Sequence, residues 1–156
     1  MNKIAVLLTC FNRKEDTLRC LDQLFCLKKE MDVYLVDDNS SDGTSAAILK
    51  QFPEVHLIKG NGDLFWNRGM HLAWKHASKR KYDFYLWLND DVVLYKNCFE
   101  EMFACATVLN NKGIVSGIIE TADNSKIIYG GTDKQRNIIK PNGHLQQITN
   151  MNGNVV

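Results

Sequence analysis

The strongest constraint on this chain is an alternation that repeats through its first 120 residues. A short, nearly unbroken apolar run is followed by a polar cluster and then by a stretch with helical spacing. Residues 3–9 (KIAVLLT) form the first run, continuous in the way of a parallel strand covered on both faces. Asn12, with Glu15 three residues on, predicts a helix cap and capping box, and Leu18, Leu21 and Phe25 follow at helical spacing. A second strand is predicted over 32–37 (DVYLVD), then a helix over about 44–51 that Pro53 stops. A third strand over 55–59 leads into a glycine-rich loop, 60–69, and Met70, Ala73, Trp74 and Ala77 mark the next helical face. The fourth strand is predicted over 82–88, a further helix carries Phe99, Met102, Phe103 and Ala106, and a fifth strand spans 114–120. Beyond Asn124 the pattern weakens to short strands at 127–129 and 146–149, separated by glycine and proline turns. Such alternation predicts an α/β fold: a mainly parallel, Rossmann-like sheet flanked by helices, with right-handed crossovers.

Composition narrows the classes of function. With 156 residues the chain is expected to be a single domain, 1–156, and 45% apolar with 24% charged residues excludes a disordered or collagen-like chain. A net charge of +1 argues against a nucleic-acid partner, which calls for a basic excess. The five cysteines (Cys10, Cys20, Cys26, Cys98 and Cys105) show no CxxC pair and read as reduced core residues in a cytoplasmic setting. The four histidines share no ligand spacing, which argues against zinc. The first apolar run is too short for a secretory signal, and no window reaches the ~20 apolar residues of a membrane span. A soluble protein is expected, with association at the inner face of a membrane left open. Lys75, Lys79, Arg80 and Lys81 suit a helix end, and Trp74 and Trp87 are expected in the core.

Four of the predicted strands end in polar clusters, and in a parallel sheet all four lie at one edge, where ligands bind. The clusters are Thr9–Arg13, Asp37–Thr44, Gly60–Asp63 and Asn89–Asp91. Adjacent carboxylates at a strand end diverge, so one of Asp90 and Asp91 can hold a hard cation while the other accepts from a hydroxyl. Two solvated acids in a turn are the plainer alternative. Asp37 and Asp38 can accept from a base imide, or the cluster can simply cap the next helix. In the glycine-rich stretch Arg68 can pair with phosphate, while Phe65 and Trp66 can stack on a ring or enter the core. The spacing fits neither the dinucleotide fingerprint nor the P-loop.

Taken together, the segments TCFNR, VDDNSSDGT, GNGDLFWNRG and LNDD, in this order over residues 3–92, resemble a family 2 glycosyltransferase of the GT-A fold. The resemblance implies inverting transfer of a hexosyl or deoxyhexosyl group from a UDP- or dTDP-linked sugar to a glycan or lipid-linked acceptor, as in polysaccharide biosynthesis. It implies Mg²⁺ or Mn²⁺ as cofactor. By it Thr9, Asn12, Arg13, Asp37, Asp38, Asn67, Arg68 and Asp90 contact the donor nucleotide, with Thr9 and Asp37 or Asp38 on the base, and Asn67 and Gly69 form the Asn-x-Gly element. Asp91 is the implied metal ligand. Asn89 departs from the usual Asp-x-Asp pattern at its first position. The closing Asn152-Gly153-Asn154-Val155 is similar to a stretch in the rhamnosyltransferase-like branch that precedes the acceptor side. The chain is therefore expected to lack that side and its catalytic base. A sugar nucleotidyltransferase would need a basic glycine loop after the first strand, and a receiver domain an acid pair there. A non-catalytic nucleotide-sugar-binding module or donor-binding fragment is the alternative within the same resemblance.

Overall fold

In a computed structural model, residues 2–117, 119–120 and 127–129 are described. They belong to two compact units, 1–94 and 95–156. The first unit holds β1 (Ile4–Cys10), α1 (Lys14–Cys26), β2 (Met31–Asp37), α2 (Thr44–Gln51), β3 (His56–Lys59), α3 (Phe65–Ala77) and β4 (Phe84–Trp87). Its four strands are all parallel, in the order β3-β2-β1-β4. The α/β sheet flanked by helices that the apolar alternation predicts is therefore present. The second unit holds α4 (Cys98–Val108) and an antiparallel pair, β5 (Ile119–Glu120) with β6 (Ile127–Tyr129).

The strand order explains how the helices cover the sheet. From β1 to β2 to β3 the chain moves one way, and then it returns past β1 to β4. Right-handed crossovers place α1 and α2 on one face and α3 on the other, because the direction of travel has reversed. On the α3 side Met70, Ala73 and Ala77 pack with Ala5, Leu7, Tyr34 and Val36, all buried. On the other side Val6, Leu8, Val33 and Leu35 are buried, as are Leu21 and Leu24 of α1 and Ile48 of α2. Phe25 stacks on Phe52 at 5.5 Å between centroids, joining the ends of those two helices.

Gly69 sets how closely α3 approaches β1. A Cβ there would collide with the Thr9 hydroxyl and lie 2.9 Å from the Thr9 Cβ. Thr9 therefore packs directly beneath the helix, as the absence of a side chain at Gly69 requires.

Several expectations need correction. Asn12 does not cap α1: it takes a positive φ of 51°, Arg13 is the capping residue, and no side chain of its own caps the helix. The Gly60–Gly69 stretch is not all loop, since α3 begins at Phe65 and carries Asn67, Arg68 and Gly69. Trp74 and Trp87 are not core residues; each is 45% exposed. They sit where α3, centred over β1 and β2, leaves β4 half covered, and they contact each other at 6.0 Å. The fifth strand shrinks to Ile119–Glu120, with 114–117 irregular. Of the cysteines only Cys10 and Cys20 are buried, and Cys26 is exposed at the end of α1. The strand expected over 146–149 lies outside the described residues.

One carboxylate serves two helix starts. Asp42 Oδ2 accepts from the Lys14 amide at 3.0 Å, and its Oδ1 accepts from the Thr44 amide at 3.0 Å and the Thr44 hydroxyl at 2.5 Å.

Two outcomes follow. Gly69→Ala should gain up to about 1 kcal/mol in helix propensity but lose about 1–3 kcal/mol to overpacking against Thr9. The variant should therefore unfold at lower urea, and a midpoint at or above wild type would contradict the close approach. The hydrogen bond from the Thr44 hydroxyl, above all, holds the Asp42 carboxyl below its ordinary 3.8. A lowered acid contributes fully above its unfolded pKa and loses that contribution as pH falls through the folded one. Asp42→Ala should cost about 1–2 kcal/mol at pH 7, and the gap to wild type in urea melts should narrow as the solution is acidified below the ordinary carboxylate range.

Candidate functional site

The reversal of strand order falls between β1 and β4. In a parallel sheet the helices leaving neighbouring strands at such a point diverge to opposite faces and open a crevice at the strands' carboxyl ends. Two of the four polar clusters flank that point: Thr9–Arg13 at the end of β1, and Asn89–Asp91 after β4. Register keeps them adjacent, because Leu7 pairs with Trp87 and the Leu88 amide donates to the Leu7 carbonyl at 3.0 Å.

Asp90 and Asp91 divide as neighbouring side chains at a strand end must. Asp90 is 5% exposed and accepts on Oδ2 from the hydroxyl of fully buried Thr17 at 3.1 Å. Burial, partly offset by Arg13, pushes its pKa up. Asp91 is exposed. Arg13 reaches both, with Nη2 3.0 Å from Asp91 Oδ2 and Nη1 3.6 Å from Asp90 Oδ1, and with Asp16 at 3.5 Å. The guanidinium thus stands between the two acids at the switch point. Its pair with Asp91 is open to solvent, the kind worth only about 0.2–1 kcal/mol.

The remaining clusters are tied to these by hydrogen bonds. The Asp38 amide donates to the Cys10 carbonyl at 2.9 Å, which carries the β1–β2 ladder one residue past the end of β2. The buried Asp38 carboxylate then gathers the loop after β3: Oδ1 accepts from the Gly62 amide at 2.8 Å, and Oδ2 from the Leu64 and Phe65 amides at 2.8 and 3.2 Å. Gly60 lies against it, and a Cβ there would sit 2.5 Å from Asp38 Oδ1 and 2.8 Å from its Cα. Phe65, at φ 54°, holds a backbone conformation that costs a bulky residue about 1–3 kcal/mol. The hydrogen bond its amide donates to Asp38 Oδ2 helps hold it there.

Asp37 is equally buried and engaged, accepting from the Ser40 amide at 2.9 Å and from the Ser45 hydroxyl. Asn12 bridges the first two loops: its amide donates to Ser40 Oγ at 2.9 Å and its Oδ1 accepts from the Ser41 amide at 2.8 Å. Trp66 Nε1 donates to Asn89 Oδ1 at 2.9 Å, linking the start of α3 to the acidic cluster.

Thr9, Asn12, Arg13, Asp37, Asp38, Asp90 and Asp91 therefore lie on one connected edge of the sheet. Asn67 and Arg68 are exposed on the first turn of α3. Arg68 folds back on its own loop, donating from Nε to the Leu64 carbonyl at 3.3 Å and pairing with Asp63 at 3.5 Å. Sequence reasoning did not find Thr17 as the partner of Asp90, nor Trp66 as the partner of Asn89. Thr17 carried a signal only in being a polar residue at a buried helix position. Cys10 and Cys20, beside the same acids, are held at about 12, chiefly by burial, and stay protonated.

Among the described residues no three His, Cys, Asp or Glu side chains are grouped to hold a metal ion. The donor set fits a hard cation of the Mg²⁺ type held by one or two carboxylates and completed by a ligand's phosphates. Asp91 would be its exposed protein ligand and Asp90 lies next to it.

Comparison with known proteins adds the family. The family model for glycosyl transferase family 2 matches residues 5–153. No curated protein matches the sequence significantly. Among solved structures, S. aureus TarS 1-349 in complex with UDP has a TM-score of 0.58 at 18% identity, over 98% of this chain and 43% of that one. TarS 1-349 in complex with UDP-GlcNAc has a TM-score of 0.51 at 22% identity, over 68% and 31%. The mannosyltransferase PcManGT from Pyrobaculum calidifontis, in complex with GDP-Man and Mn²⁺, has a TM-score of 0.58 at 15% identity, over 76% and 35%. These are likenesses of fold, and the chain spans about a third of the length of the first structures it matches. With the family model covering nearly the whole sequence, and a GT-A sheet carrying the matched segments, the chain belongs to glycosyltransferase family 2.

Proposed function

We propose that this chain binds the nucleoside-diphosphate half of a sugar donor, UDP- or dTDP-linked, and serves inverting glycosyl transfer to a glycan or lipid-linked acceptor. The observation that carries the proposal is the placement of Asp90, Asp91 and Arg13 at the switch point between β1 and β4. Solved neighbours on the same fold hold UDP, UDP-GlcNAc and GDP-Man with Mn²⁺.

In this reading the edge divides by chemistry. The base and ribose lie over the loops of Thr9, Asn12, Asp37 and Asp38, whose carboxylates already organise the surrounding backbone. Asn67 and Arg68, on the first turn of α3, face the donor beyond the base. Asp91 would hold Mg²⁺ or Mn²⁺, and a cation so placed supplies Lewis-acid neutralisation of charge on the departing diphosphate. Asp90, anchored by Thr17, positions the turn and faces the ribose. The acceptor hydroxyl needs a general base, worth typically 10²–10⁴-fold, and none of the acids at this edge is assigned to it. In this reading the chain is a donor-binding GT-A domain of the rhamnosyltransferase-like branch. No described helix is long and apolar enough to cross a membrane. A cytoplasmic protein working at the inner membrane face accords with a lipid-linked acceptor.

Calorimetry with UDP and with dTDP, each with and without Mn²⁺, tests the reading. Mn²⁺ should strengthen nucleotide binding, and Asp91→Ala should remove that gain, about tenfold, the scale of one charge-assisted contact. Nucleotide binding indifferent to both Mn²⁺ and Asp91 would remove the metal assignment, and no nucleotide binding at all would end the proposal. Turnover of a sugar nucleotide by these 156 residues would place the base among them.

A further inference from the structure

Resting on the donor-binding reading, we propose that Arg13 is a built-in counter-cation that makes metal binding at Asp91 conditional on the nucleotide. With the edge empty, the guanidinium occupies the charge position between the acids, 3.0 Å from Asp91 and 3.6 Å from Asp90. A divalent ion at Asp91 must displace it or bind beside it, and two cations sharing one carboxylate repel. A diphosphate changes this balance, because it offers Arg13 oxygens of its own in the forked geometry that guanidinium prefers. Arg13 then turns from carboxylate to phosphate, and Asp91 is released to the metal. The local structure permits the exchange. Arg13 is the capping residue of α1 and its side chain is 41% exposed, so it can swing without unpacking the core. Asp90 keeps its Thr17 hydrogen bond whichever way the guanidinium points.

This mechanism predicts opposite signs for one substitution. Arg13→Gln removes the competing charge, so Mn²⁺ alone, followed by the electron-spin resonance of the free ion, should bind about two- to fivefold more tightly than to wild type. The same substitution removes the phosphate partner, so UDP in the presence of EDTA should bind about tenfold more weakly by calorimetry. Arg13→Lys keeps the charge but not the fork, and should leave Mn²⁺ binding near wild type while weakening UDP. A purely structural role for Arg13 would weaken both ligands together. That result, or unchanged Mn²⁺ affinity in Arg13→Gln, would overturn the proposal while leaving the donor-binding reading intact. Failure of wild type to bind UDP under any condition would overturn both.

Discussion

The edge of the sheet is organised around one buried carboxylate, Asp38. Its backbone amide continues the β1–β2 ladder through the Cys10 carbonyl, and its side chain accepts three amides from the loop after β3. A carboxylate with so little access to water must have such donors, since an unpaired buried charge would be prohibitively costly. The burial in turn fixes the β3–α3 loop, the left-handed backbone at Phe65 and the starting direction of α3. Gly60 and Gly69 are the steric counterparts of this arrangement, one letting the loop close on Asp38 and the other letting the helix close on Thr9.

From that anchor the order of strands does the rest. Because β4 lies on the far side of β1 from β2, the helices diverge between β1 and β4, and the acids after β4 meet the loop after β1. Arg13 closes that meeting electrostatically. Asp90 is buried against the Thr17 hydroxyl, while Asp91 beside it is exposed. The sheet itself is shared with solved structures at low sequence identity.

Much of this was legible in the sequence. The apolar runs gave the strands because a covered parallel strand leaves little room for polar residues, and the clusters at their ends marked the edge. What misled was local context. Asn12 followed by Glu15 has the look of a capping box, yet the cap comes from Asp42 of another loop, a contact that spacing cannot reveal. Trp74 and Trp87 fit apolar faces, but the position of α3 over β1 and β2 leaves them on the margin of the core. The pairing of Arg68 with Asp63 depends on the turn into α3, which residue type alone does not reveal. The acids at 37, 38, 90 and 91 could be named, but which of them the fold would bury was decided by tertiary packing.

Asp42, shared between the starts of α1 and α2, has a mechanical consequence. Two segments that leave different strands are cross-braced at a single point, with Asn12 and the serines at 40 and 41 forming a second brace. A guest pressing on one wall of the crevice must therefore shift its neighbour as well. The rim at this end yields as a unit or not at all, and stiffness there is a property of the paired loops, not of either alone.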